Sequence, residues 1–110
     1  VANRPDLEGL ILSVLEEQPA HGYEITARIQ SRSSDALRLG ESQLYPLLHR
    51  LESSGAVTAS WENQTGRPAR KTYSLTPEGS AMLATKRAEW QNFVTSIGPI
   101  LERLEAKNAV

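Results

Sequence analysis

Cysteine is absent from these 110 residues, which removes disulfide staples and thiolate zinc sites. The two histidines, His21 and His49, stand far apart in the chain, so no transition-metal site is expected either. No apolar run approaches the roughly 18 residues of a membrane span. Val1 to Glu8 lacks a basic stretch followed by an apolar one, so no signal peptide is read. These absences lead to the expectation of a cytoplasmic protein with no cofactor and no membrane contact. No phosphate loop, dinucleotide fingerprint or nucleophile motif is present. His21 and Glu24 lie three apart, but a helix start explains them more simply than a general base does, so no catalytic residue and no enzyme are expected. There is no repeat, low-complexity run or linker, and the length suits one domain with a modest core.

The net charge is −1, which by itself says nothing for a polyanionic partner. Its distribution says more. Residues 1–21 carry Arg4 against Asp6, Glu8, Glu16 and Glu17, whereas residues 22–75 carry seven basic side chains against five acidic ones. Arg67, Arg70 and Lys71 cluster with no acid nearer than Glu62. Such a local patch governs phosphate binding more than total charge does, because exposed charges are screened beyond about 10 Å. A plain solvated turn would carry the same residues.

Leu7, Leu10, Ile11, Val14 and Leu15 fall on one helical face. Asn3 or Asp6 can cap this first helix, and Pro19 ends it. Gly22 to Arg32 reads as a second helix with Tyr23, Ile25, Ala27 and Ile29 as its apolar contacts. Leu44, Leu47, Leu48 and Leu51 define a third, with Ser42 as its N-cap and Gly55 in a left-handed position past its end. Pro46 sits awkwardly there and suggests a later start or a distorted first turn. Val57, Ala59 and Trp61 alternate with polar residues, as do Lys71, Tyr73 and Leu75. They predict a hairpin turning within Asn63 to Ala69, with Gly66 and Arg67 at its tip and Trp61 in core or wing packing. Thr76-Pro77 is a cap followed by a first-turn proline, opening a helix to about Lys107 that Gly98-Pro99 should kink or break.

This order predicts a mostly α fold with a small two-stranded β-wing: a winged helix-turn-helix, residues 1–76, plus a long C-terminal dimerisation helix, residues 77–110, in one compact unit. Other small α+β domains share the order. With the leucines inward, Ser42, Gln43, Tyr45, His49 and Arg50 lie on or beside the outer face of the third helix. Gln43 and Arg50 suit base edges, while Ser42, Tyr45 and His49 suit phosphates. Arg67, Arg70 and Lys71 would add wing contacts to double-stranded DNA, with a steep salt dependence. Glu41 and Glu52 beside this face count against DNA. The last helix is too long for its own domain, and Trp90, Phe93, Ile97, Ile100 and Leu104 would stay wet without a partner. A homodimer resolves this, and so would folding back at Gly98-Pro99.

The ordered set His21-Gly22-Tyr23-Glu24-Ile25, Leu44-Tyr45-Pro46-Leu47-Leu48-His49-Arg50-Leu51-Glu52, Gly66-Arg67-Pro68 and Arg70-Lys71-Thr72-Tyr73-Ser74-Leu75-Thr76, with Gly79, resembles the PadR family of bacterial transcription regulators over about Leu7 to Leu104. The resemblance implies a dimeric winged-helix repressor whose third helix reads DNA and whose Gly66-Arg67-Pro68 forms the wing. It implies that the C-terminal helix joins Leu7, Leu10 and Ile11 of the first helix in the dimer interface. It also implies an effector, in some members a flat aromatic ligand near that interface. Trp90 could stack on such a ligand, but packing in the interface is the simpler role for it. The rival reading is a winged helix used only for protein–protein assembly.

Overall fold

The computed structural model describes residues 6–109, with side chains described as far as Glu102. Helix α1, Leu7–Glu17, is capped by Asp6, whose Oδ1 accepts from the Gly9 N–H at 3.0 Å. Asn3, the other candidate cap, lies outside the described residues. After Pro19 comes a two-residue strand β1, Ala20–His21, which leads directly into α2, Gly22–Arg32. Glu24 reaches back from the first turn of α2 to accept from the His21 N–H at 3.0 Å, half of a capping box. The C-terminus of α2 closes as a Schellman motif: Ser34 N–H donates to Ser31 O and Asp35 N–H to Gln30 O. Ser34 and Asp35 both adopt positive φ, at 52° and 67°.

Helix α3 spans Glu41–Ser53 with Gly40 as its N-cap. The expected cap at Ser42 is therefore corrected. The helix starts two residues earlier, because Leu44 N–H donates to Gly40 O at 2.9 Å and the Gln43 amide oxygen accepts from Gly40 N–H at 3.4 Å. Pro46 is accommodated inside the helix; having no N–H, it leaves the Ser42 carbonyl without its helical partner. The other end follows the expectation. Gly55 sits at φ 83°, with Gly55 N–H donating to Glu52 O and Ala56 N–H to Leu51 O, a second Schellman closure.

Strands β2, Val57–Gln64, and β3, Arg67–Leu75, form the hairpin, and β1 adds to the far side of β3 in the order β1-β3-β2. The sheet thus has three antiparallel strands where the sequence predicted two. A two-residue strand is too short to show a period. It exists only because Ala20 and His21 pair with Tyr73 and Thr72. The turn shrinks to Thr65-Gly66, with Gly66 at φ 71°. The register shifts between Glu62 and Gln64, opposite Pro68 and Ala69, as a bulge at a residue with no N–H to donate.

Helix α4 runs without interruption from Pro77 to Ala109. Neither the break at Gly98-Pro99 nor the fold-back occurs. At 1.5 Å per residue its 33 residues span about 50 Å, and they account for the long axis of a molecule measuring 65 × 28 × 22 Å.

The core joins Ile11, Leu12, Val14 and Leu15 of α1 to Ile25 and Ile29 of α2, Leu44, Leu48 and Leu51 of α3, then Val57, Tyr73 and Leu83. Each such side chain contributes about 1.5–3 kcal/mol. Tyr23 and Ala27, expected as apolar contacts of α2, face solvent instead. Two ion pairs fasten α4 to α1: Lys86 with Asp6 at 3.0 Å, and Arg87 bidentate with Glu16 at 2.9 and 3.1 Å. The hydrogen bonds from Arg87 hold the Glu16 carboxyl below its ordinary range. This tie is present above the ordinary carboxylate pKa and is lost as pH falls through the lowered one. No helix among the described residues is long and apolar enough to cross a membrane.

Candidate nucleic-acid interface

The buried leucines of α3 turn Ser42, Gln43, Pro46, His49 and Arg50 to solvent, and Tyr45 is 45% exposed at their flank. On the wing, burial fades from Val57 toward the tip, so the outer half of the hairpin stands clear of the body. Between the two lies a cleft of about 460 Å³ whose walls include Tyr45 of α3, Tyr23 of α2, and Trp61, Arg70 and Lys71 of the wing. All eight residues singled out for DNA are thus at least partly exposed. The cleft joins three of them, Tyr45, Arg70 and Lys71, while Arg67 stands apart at the tip.

Their electrostatics differ from what charge counting implied. Arg50 pairs with Glu8 of α1 at 3.2 Å, Lys71 with Glu52 of α3 at 3.2 Å, and Arg70 with Glu62 across the hairpin at 3.7 Å. Arg70 also donates to the Tyr23 hydroxyl at 3.5 Å. With its amide oxygen turned toward Arg70, Gln64 accepts from Nε at 2.9 Å. Arg67 has no carboxylate partner among the described residues. The wing therefore does not offer three equivalent cations.

Trp61 was expected in packing but is 68% exposed, and Lys71 Nζ lies 5.8 Å from its ring centroid. Sequence reasoning missed Tyr23 and Trp61 as walls of this cleft, and Glu8, Glu52 and Glu62 as partners of its cations. Burial pushes the Tyr73 hydroxyl above its ordinary pKa, more than Lys71 beside it pulls the value down, so at neutral pH it adds no negative charge.

Gly22 carries a local constraint. A Cβ there would stand 2.4 Å from the Tyr45 hydroxyl oxygen and 2.9 Å from its ring carbon Cζ. Tyr45 can swing outward, so Gly22→Ala is expected to displace it at a modest stability cost, on the order of 1 kcal/mol. A shift of the Tyr45 ring resonances in NMR spectra, with a melting temperature lowered by no more than about 4–8 °C, checks this.

A second surface lies on α1 and α4. A pocket of about 380 Å³ is lined by Leu10, Leu37, Leu83 and Trp90, with Asp6, Lys86 and Arg87 at its polar edge. Trp90 is 59% exposed and its ring centroid is 5.8 Å from that of Phe93. Ile100 is 65% exposed, Phe93 and Ile97 are half-buried, and Leu104 lies outside the described side chains. Of the α1 residues named for the interface, Leu7 and Leu10 are half-buried, but Ile11 is fully buried in the chain's own core. With no exposed area, Ile11 has no surface left to offer a partner.

Residues 11–85, more than half of the chain, match the transcriptional regulator PadR-like family. The chain belongs to that family. This PadR-like chain is 36% identical over 77 residues to the transcriptional regulator Rv3488 of Mycobacterium tuberculosis, covering 70% of the chain and 68% of that relative. Its structure is similar to a PadR family transcriptional regulator from Eggerthella lenta, with a TM-score of 0.77, 35% identity, and coverage of 87% of this chain and 81% of that one. It is also similar to Bacillus subtilis PadR, solved in complex with operator DNA, with a TM-score of 0.67 and 28% identity over 74% of this chain and 46% of that one. PadR-like proteins are transcriptional regulators and not enzymes, and the winged-helix architecture agrees with these neighbours.

Proposed function

We propose that this PadR-like regulator binds duplex operator DNA as a homodimer and acts as a ligand-responsive repressor. The observation that carries the reading is the shared cleft: the exposed flank of α3 and the cationic wing border one solvent-facing recess. In this reading α3 enters the major groove with Gln43 and Arg50 at base edges, while Ser42, Tyr45 and His49 hold phosphates beside them. Arg67 and Arg70 grip the adjacent backbone. The operator complex of Bacillus subtilis PadR supports the assignment by similarity.

Residues 1–76 serve as the DNA-binding unit and 77–110 as the dimerisation helix. Trp90, Val94, Ile100 and Leu101 are each at least 41% exposed, an apolar stripe that a two-fold partner would cover. Half-buried Phe93 and Ile97 of α4 and Leu7 and Leu10 of α1 would complete the proposed interface. The α1–α4 pocket, whose volume suits a small molecule, is the proposed effector site, with Trp90 stacking on an aromatic ligand. The cytoplasm is the compartment this role requires.

The test combines a gel shift on duplexes selected from a random pool with sedimentation of the free protein. Salt-dependent duplex binding by a dimer is expected. Ile100→Asp with Leu101→Asp should shift the protein to monomer and weaken duplex binding at least tenfold, each buried apolar side chain lost being worth roughly 1.5–3 kcal/mol. A wild-type protein with no duplex affinity would favour the protein–protein assembly reading instead.

A further inference from the structure

Lys71 differs from the other wing cations in what surrounds it. Its ammonium lies 3.2 Å from Glu52 Oε1 in the last turn of α3, 5.8 Å from the Trp61 ring centroid and 5.6 Å from that of Tyr73. Both rings are within cation–π range. Lys71 and Glu52 are each about one-third exposed, at 33% and 37%. Trp61 stands directly across the hairpin from Lys71, on the part of the wing that leaves the body. One side chain thus joins three elements: β3, which bears it; β2, through Trp61; and α3, through Glu52.

The register explains how the cluster arises. Gln64 faces Arg67 next to the turn, yet Glu62 faces Arg70 and Trp61 faces Lys71. Continued without the shift, the pairing at the tip would put Arg70 opposite Trp61. A one-residue slip exchanges the faces of a strand, so the bulge beside Pro68 selects which cation meets Trp61 and Glu52. Arg70, one residue along, is directed instead to Glu62, Tyr23 and Gln64.

We infer that Lys71 is a positioning residue, a brace that fixes the wing against the C-terminal end of α3 through Glu52 and Trp61, and not a phosphate ligand. The inference rests on the DNA-binding reading above. A phosphate oxygen reaching Lys71 has to displace a carboxylate and two aromatic faces, whereas Arg67 at the tip has no such partner to leave. The geometry of the interface needs the helix and the wing to meet one duplex together, and this cluster spans the gap between them.

The two roles predict opposite signs for Glu52. If Lys71 bound phosphate, Glu52→Gln would release the ammonium and tighten binding. As a brace, Glu52→Gln and Lys71→Gln each weaken binding to a duplex selected from a random pool, by about fivefold for a partly exposed ion pair with cation–π support. The double variant is then no weaker than either single one, and Lys71→Arg stays near wild type. The slope of log affinity against log salt stays unchanged in Lys71→Gln, where loss of a phosphate contact would reduce it by about 0.9 per subunit. Tighter binding by Glu52→Gln, or a shallower slope in Lys71→Gln, overturns the inference. Thermal melts establish that each variant is folded. Should the wild-type protein bind no duplex, the DNA reading fails alone. The brace is then judged by Trp61 emission in a Trp90→Phe background, which both glutamine variants must shift and which an unmoved spectrum would refute.

Discussion

Gly79→Ala is expected to cost about 2–4 kcal/mol of folding stability, at the upper end for adding one methyl group. A Cβ at Gly79 would stand 2.0 Å from the Ala56 carbonyl oxygen, 2.9 Å from its carbon and 2.7 Å from Leu75 Cδ1. The obstacle is backbone, and that backbone is already engaged. Thr76 N–H donates to Ala56 O at 3.1 Å, while Thr76 Oγ1 accepts from Gly79 N–H at 2.9 Å. The Thr76 hydroxyl proton is shared between Gly55 O at 2.6 Å and Ala56 O at 2.9 Å. The first turn of α4 is thereby clamped to the residues that leave α3, and relief of the clash requires one of these bonds to lengthen. Urea unfolding followed by circular dichroism should show a lower midpoint with an unchanged slope. The same change at Gly98, where the nearest atom is Glu102 Oε1 at 4.0 Å, should instead stabilise the helix by about 0.5–1 kcal/mol. A loss at Gly98 would mean that another surface approaches it within a methyl's reach in solution.

The largest expected effect on DNA binding belongs to the double change Arg67→Ala with Arg70→Ala. Each phosphate contact contributes about 0.9 to the salt slope, so two cations in each of two subunits would remove between about 2 and 4 from it. The lower end reflects the pairing of Arg70 with Glu62, because a cation that exchanges one anion for another releases less. Affinity should fall for every duplex without a change in preferred sequence. Replacing Gln43 or Arg50 should do the reverse, altering preference by about 1–3 kcal/mol at single positions. An unchanged slope in the double variant would remove the wing from the interface. The count of wing cations is two here, where the sequence implied three, because Lys71 is held by Glu52 and Trp61.

Elements with a strong local signal were legible in the chain itself. The i, i+3, i+4 spacing in α1 and α3 located Val14, Leu15, Leu44, Leu48 and Leu51, all buried. Gly55 took the left-handed position past α3, and Thr76-Pro77 opened α4. Weak or competing signals misled. Ser42 is the better cap by residue type, yet Gly40 holds the position because Gln43 folds back onto it. Gly98-Pro99 looked like a break, but a proline removes one hydrogen bond and the flanking turns of a 33-residue helix carry it through. Trp61 looked like core or wing packing by its alternation, though alternation names a face without saying whether anything packs on it.

The family membership of the chain, its helical order, and the residues that α3 shows to solvent follow from the amino-acid pattern, because local periodicity and capping need only near neighbours. The third strand, the partners of the interface cations and the close contact at Gly79 follow only from tertiary structure. Each joins residues from different elements: Ala20 with Tyr73, Lys71 with Glu52, Gly79 with Ala56. Such meetings depend on a one-residue bulge and on the angle between packed elements, which no local window of sequence encodes.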